Sequence, residues 1–538
     1  MGCKQDGKNA ETQTAEENSM DDISAKEIEF KVLDSKVITN EEIWADLGSE
    51  VDAFSEEDYQ RVKPLVFEKS IPEIQTAISN GALNYEDLVL FYLKRVKKYD
   101  RENESSLNSV ISLNPNVLKE ARELDKVETK FKGDKKYSVY GMPILLKDNV
   151  NTEEMPTTAG ATVFKNNTTE DAFITKRLRE HGALILGKAN LSEWAYFFCG
   201  DCPSGYSAVG GQTLNPYGRK VHDTGGSSSG SGVSMAANFA AAAIGTETSG
   251  SILSPSSSNS IVGLKPTIGL FSRGGIVPIS STLDTPGPMT RTVIDNAIVM
   301  SALQGVDKED MASAKLDPNQ LNYIEELNIE EPTAVFQFTK LGYYKGFMED
   351  SLYANAVKTL KDNGAQLVEI ERPEIDLPQF VRVLNLDMKV DLPEYIKAYG
   401  SKDLTVKNIQ EITEVNKQDS LVSMPYGQRL FYGVLKDSAT DEEFAAIKDT
   451  LLINGKKFFD DPMKANDLDA VLSINNYMAG YAAAARYPAL TVPMGYKENN
   501  QPMGLTFMGQ SQHEALLLQL ALAYESISQQ RKSPEGFE

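Results

Sequence analysis

Residues 223–263 read DTGGSSSGSGVSMAANFAAAAIGTETSGSILSPSSSNSIVG, two glycine-serine clusters on either side of an apolar, alanine-rich run. The first cluster, 225–232, admits three readings: a flexible linker, a phosphate cradle, or a tight turn that presents serine hydroxyls. A linker lies in polar sequence, whereas 233–244 is almost wholly apolar or alanine. A Walker-type loop needs a lysine and then Ser or Thr after its last glycine, and Gly232 is followed by Val233. The remaining reading predicts a helix over 231–239, a strand over 240–245 and a second serine turn over 246–251. Two serine-bearing turns would then sit at neighbouring places in one core, and a serine used as a nucleophile needs a base beside it. A histidine base would have to be His181, His222 or His513, the three in the chain. His181 reads as a helix C-terminus, where it suits the dipole, and His222, near the first turn, is the one serious candidate among them.

The pair GGSSSGS (225–231) and GTETSGSI (245–252) resembles the signature of the amidase signature family. GMPILLKDN (141–149), ALILGKANLSE (183–193), VGLKP (262–266), DTPGP (284–288) and PALTVP (488–493) resemble further family segments in the same order, and the likeness spans most of 70–525. The resemblance implies an α/β fold, a single large domain with a mixed β-sheet core covered by helices on both faces. It implies amide hydrolysis without a metal or organic cofactor, with Ser251 as nucleophile, Ser227 as a bridging serine after a cis peptide bond, and Lys147 as base. The backbone N–H groups of Thr248, Ser249, Gly250 and Ser251 would hold the oxyanion. An amine is a base only when neutral, so Lys147 must be held well below the usual value near 10.4 by burial. Leu145 and Leu146 beside it are consistent with that.

Substrate readings follow from the wording of the motifs. Segments 187–195, 210–216 and 263–273 look most like bacterial peptide amidases, which release ammonia from C-terminal peptide amides. Ser249 departs from that subgroup, where an acidic residue is frequent. Leu253 stands where many members carry arginine, which weakens a reading as the glutaminase subunit of a tRNA amidotransferase. A catalytically silent binding protein on the same scaffold is disfavoured because Lys147, Ser227 and Ser251 are all present.

Composition sets further bounds. With 54 Lys+Arg against 77 Asp+Glu the net charge is −23, which argues against nucleic acid or an anionic membrane surface as a partner. Three cysteines exclude a disulfide scaffold. Cys199-Gly-Asp-Cys202 reads as a local or buried pair rather than a zinc site, which would need two more ligands. The start, Met-Gly-Cys-Lys, resembles a mature bacterial lipoprotein and would place a lipid anchor at Cys3 in the periplasm or at the membrane. The apolar segment of a signal peptide is missing, so a cytoplasmic or non-native start is the alternative. No apolar run reaches the length of a transmembrane helix. The sequence does not set the oligomeric state.

The elements that must position this chemistry are legible from caps and periodicity. Residues 1–22 read as a disordered tether, 23–69 as a helical extension, and 70–530 as the amidase signature domain. In that domain 143–290 is the catalytic core, and 305–332 and 371–466 form the variable, substrate-side region. Ser70-Ile-Pro-Glu73 is a capping box opening a helix to Asn80, and Asn84 caps a second helix. Strand 108–112, helix 115–126, strand 139–146 ending at Lys147, helix 171–180 and strand 183–187 lead into the serine stretch. Strand 334–338, helix 348–362 and strand 366–370 are expected as a βαβ unit.

Overall fold

The computed structural model describes residues 27–101, 103–127, 135–313 and 321–538. The expectations for 1–22, and for Cys3, lie outside the described residues. Ser70 and Glu73 form the reciprocal box at the start of the helix Ile71–Ser79, and Gly81 follows its end with φ 72°. Asn84 accepts from Asp87 N at 2.7 Å and opens the helix Tyr85–Tyr99, which buries Leu88, Phe91, Tyr92 and Val96. Short helices at Asn40–Trp44, Gly48–Ala53 and Glu56–Val66 precede them. Their Trp44, Val51 and Val62 join the core cluster that also holds Ile144 and Ile244.

Thirteen strands are described: β1 Val110–Leu113, β2 Pro143–Lys147, β3 Leu184–Ala189, β4 Tyr206–Ser207, β5 Gly211–Gln212, β6 Ala242–Glu247, β7 Val262–Lys265, β8 Thr285–Thr290, β9 Lys340–Tyr344, β10 Gln366–Ile370, β11 Ala470–Ile474, β12 Ala489–Tyr496 and β13 Pro502–Met508. Among the described residues eleven of them form one sheet in the order β1-β3-β2-β6-β8-β7-β12-β13-β11-β9-β10, and β4 pairs with β5 separately. The sheet is mixed: β2 runs parallel to β3 and β6, β9 runs parallel to β10 and β11, and the pairs from β6 through β13 to β11 are antiparallel. Parallel strands covered on both faces read as continuous apolar runs, and every residue of β2, β3 and β6 is buried. Helices cover the two faces, among them Ser229–Ala236 against β6, Leu253–Ser258 against β12 and β13, Val293–Leu303 against β8 and Glu514–Ser528 against β12. Among the described residues no helix is long and apolar enough to cross a membrane.

Several expectations shift. The strand read over 139–146 lies at Pro143–Lys147, and the helix read over 231–239 lies at Ser229–Ala236. The strand read over 240–245 lies at Ala242–Glu247, so Thr246 and Glu247 belong to β6 rather than to the turn. They pair with Pro286 and Thr285 of β8, and that pairing carries the strand two residues further. The strand read over 334–338 is a 3₁₀ helix, Pro332–Gln337, and the strand begins only at Lys340, in register with Gln366. A proline at the first helical position favours the turn, and Phe336 is buried from it. The βαβ unit itself is present, with the helix Ser351–Asp362 between β9 and β10.

Candidate active site

Lys147 is the last residue of β2 and β6 lies directly beside it, so the lysine points at the end of the neighbouring strand. Its Nζ lies 2.7 Å from Ser227 Oγ and donates to Thr246 O at 3.1 Å and to Thr246 Oγ1 at 2.8 Å. The side chain is wholly buried, and burial lowers its pKa to about 7, against the opposing charges of Asp284 and Glu247. A neutral amine has two hydrogens and one lone pair. With the Thr246 carbonyl and hydroxyl taking the hydrogens, the lone pair is left for Ser227.

The first serine turn divides its hydroxyls by role. Ser229 Oγ donates to Gly225 O at 2.6 Å and Ser231 Oγ to Ile244 O at 3.1 Å. Ser228 Oγ donates to Thr246 O at 3.1 Å while accepting from Thr246 N at 3.2 Å, which zips the turn to the end of β6. These three satisfy buried backbone, as serines in turns ordinarily do. Ser227 is different: it follows a cis peptide bond from Gly226, is fully buried, and spends its hydroxyl on Lys147.

Ser251 ends the second turn. Its carbonyl accepts from Ser228 N at 3.2 Å, and its hydroxyl hydrogen-bonds nothing among the described residues. The structure therefore brings Lys147 and Ser227 into contact and ties Ser251 to their neighbour by main chain, while the Ser227–Ser251 hydroxyl link is not formed. Catalytic hydrogen bonds are often long in unliganded enzymes and tighten with substrate. The N–H groups of Thr248, Ser249, Gly250 and Ser251 have no acceptor among the described residues, and Gly250 has φ 91°. Donors held free in one tight turn form an anion-binding concavity.

Two residues hold this turn, Glu247 and Asp284, and a third, Asn149, holds the end of β6 beside it. Glu247, buried at the end of β6, accepts from Ile252 N at 2.7 Å and Leu253 N at 3.0 Å, closing the turn on itself. Asp284, from DTPGP, accepts from Thr248 Oγ1 at 2.5 Å and from the N–H groups of Ile279 and Ser280 at 2.8 Å each. Burial raises its pKa above the usual carboxylate value. Asn149 donates to Thr246 Oγ1 at 3.0 Å. Each lies inside a quoted motif segment, so the signal was present, but only the fold shows what each touches.

His222 does not serve as a base here: its Nε2 bonds Asn499 O at 3.0 Å and reaches neither serine. His181 sits at the C-cap of Phe173–Glu180. Cys199 and Cys202 are buried and joined as a disulfide. A cavity of about 370 Å³ is lined by Asp284 together with Asp310 from segment 305–332 and Asp391 and Tyr399 from segment 371–466.

A large mixed sheet that carries a buried lysine against a glycine-serine turn defines an α/β hydrolytic fold of the amidase class. The Amidase family model matches residues 87–424, and the chain belongs to that family. It is 37% identical to an amidase family protein from Bacillus anthracis, with a TM-score of 0.88 over 95% of this chain and 100% of that one. The native peptide amidase from Stenotrophomonas maltophilia is 34% identical, with a TM-score of 0.81 over 87% of this chain and 99% of that one. A probable amidase of Arabidopsis thaliana is 33% identical over 483 residues, 87% of this chain and 91% of the relative.

Proposed function

We propose that this amidase-family chain hydrolyses C-terminal peptide amides through a Ser251–Ser227–Lys147 relay. The observation that carries the reading is the 2.7 Å approach of a fully buried Lys147 to Ser227. A lysine that titrates near 7 is substantially neutral at physiological pH and can take a proton. Ser251 Oγ attacks the amide carbonyl, its proton passes to Ser227 Oγ, and the Ser227 proton passes to Lys147. The tetrahedral oxyanion lies in the turn of Thr248, Ser249, Gly250 and Ser251. Return of the proton through Ser227 to the leaving nitrogen releases ammonia and leaves an acyl-enzyme, and water resolves it by the same relay in reverse. No step calls on a cofactor.

The peptide-amide assignment is supported by likeness to the Stenotrophomonas maltophilia peptide amidase along nearly all of that chain. Leu253 in place of an arginine speaks against the glutaminase-subunit reading. The variable segments meet at the cavity beside Asp284, where loop differences reach the turn that would bind the carbonyl oxygen. The lipid-anchor reading of Cys3, with a periplasmic or membrane location, is carried by the sequence alone; detergent partitioning of the full chain beside Cys3→Ser tests it.

The deciding experiment is ammonia release from N-acylated amino-acid amides, simple alkyl and aryl amides and free glutamine, with Ser251→Ala in parallel. Turnover of the peptide-type amides that disappears in the variant is expected. Turnover confined to other amides would discard the peptide assignment, and turnover that survives in the variant would discard the nucleophile.

A further inference from the structure

Beyond β11 the chain turns at Asn475, which adopts φ 47°. Four bonds lock it to β13: its N–H donates to Gly504 O at 2.8 Å, its Oδ1 accepts from Gly504 N at 2.7 Å, its Nδ2 donates to Met503 Sδ at 3.5 Å, and its carbonyl accepts from Thr506 Oγ1. The next residue is thereby aimed. Asn476 Nδ2 lies over Gly250, so close that a Cβ on Gly250 would stand 3.0 Å from it. Beside it, Ser249 Oγ is 3.8 Å from where a Cβ on Gly480 would lie. Residues 476–480 thus face the turn of 249–250 directly. Asn476, Ser249 and Gly480 are all partly open to solvent, and Tyr477 is 55% exposed. The Asn476 carbonyl accepts from Ala479 N, but its side-chain amide bonds nothing among the described residues.

A carboxamide carries two donors and one acceptor, the complement of a peptide group. Successive Cα atoms lie about 3.8 Å apart, so a substrate with its scissile carbonyl at the 248–251 turn places its preceding peptide group within a residue's reach of that turn. We infer that Asn476 is a specificity-determining residue whose amide pairs with the peptide group preceding the scissile amide, so that N-acylated amino-acid amides and peptide amides are favoured over carboxamides lacking it. The inference rests on the amide-hydrolase reading above and extends it to a named contact. Sites built to pair a polar group discriminate strongly against analogues without it, because their own groups are then left unpaired.

The test compares kcat/KM for N-acetylphenylalaninamide and 3-phenylpropanamide in the wild type, Asn476→Ala and Asn476→Asp. The two substrates share the scissile amide and the ring, and only the first carries the preceding peptide group. Asn476→Ala is expected to lower kcat/KM on the acetylated amide about tenfold or more and to change the other less than twofold. Asn476→Asp, which keeps the size but loses the donors, is expected to show the same selective loss. Equal losses on both substrates, as an oxyanion or purely structural role would give, overturn the inference, and so does no loss on either. A wild type inactive on both would instead remove the amide-hydrolase reading.

Discussion

The backbone N–H of Ser228 donates to the carbonyl of Ser251 at 3.2 Å, so the two serine turns are joined by main chain rather than by the hydroxyls proposed to react. Ser228 Oγ reinforces this by bonding both the N–H and the carbonyl of Thr246. Replacing a reactive hydroxyl therefore leaves the scaffold in register. Ser251→Ala and Ser227→Ala are each expected to cut kcat by about 10³ or more, as removal of relay members does elsewhere. Their melting temperatures should stay within a few degrees of the wild type, by differential scanning calorimetry.

The proposed relay sets a pH dependence. Its base is the neutral amine of Lys147, which in the folded chain titrates at about 7, so kcat/KM is expected to rise through pH 7 and level off above it. A profile with no inflection between pH 6 and 8 would exclude Lys147 as the base.

The same shift has a stability consequence. Folded Lys147 titrates at about 7 and an unperturbed lysine at 10.5. Between those values the unfolded chain holds the extra proton, so stability rises with pH across the window. Below pH 7 both states are protonated and the cost of the buried charge is fully present. Lys147→Met is thus expected to be inactive, and its stability advantage over the wild type should shrink between pH 7 and 10 in chemical denaturation.

Thr246→Val removes one of the two groups that orient Lys147 while keeping the shape. Loss of an acceptor disfavours the charged amine, so the acidic limb of the profile should move to lower pH. At the same time kcat should fall about tenfold because the lone pair is no longer aimed. A drop in rate without movement of the limb would make Thr246 a packing residue only.

Glu247 closes the 248–251 turn, the proposed oxyanion site, through the N–H groups of Ile252 and Leu253. Glu247→Ala leaves both buried donors unpaired and is expected to cost roughly 2–4 kcal/mol of stability and most of the activity. Glu247→Gln retains an acceptor oxygen and should recover part of both, as read by urea unfolding and initial rates.

What was legible in the sequence was chemistry that depends on residue type in local order. The glycine-serine turns and the capping box at Ser70 carry their geometry in a few adjacent residues, whereas Lys147 is singled out only by the resemblance of 141–149 to a family segment and meets Ser227 across 80 residues of chain. The roles of Glu247 and Asp284 were not legible, because each depends on a partner brought close by a turn or by the β6–β8 pairing. The end of β6 differs from the sequence expectation for a related reason: threonine and glutamate read as turn polarity, yet one faces Lys147 and the other folds back on its own turn. Asn476 carries no signal in the sequence, since the role proposed for it depends on Asn475 being bonded to β13 and on the 476–480 segment being set against Gly250.

The sheet order imposes a schedule on synthesis. β9 and β10 are made well before β11, yet β11 is what joins them to the sheet, and β11 reaches β7 only through β13 and β12. While the chain emerges, that pair is an isolated two-stranded ribbon with an open edge, marginal by itself and prone to pairing with other chains. A nascent chain arrested before residue 470 would leave this edge uncovered beside a signature core whose β2 and β6 are already complete. Shielding by chaperones is expected to matter most during that interval.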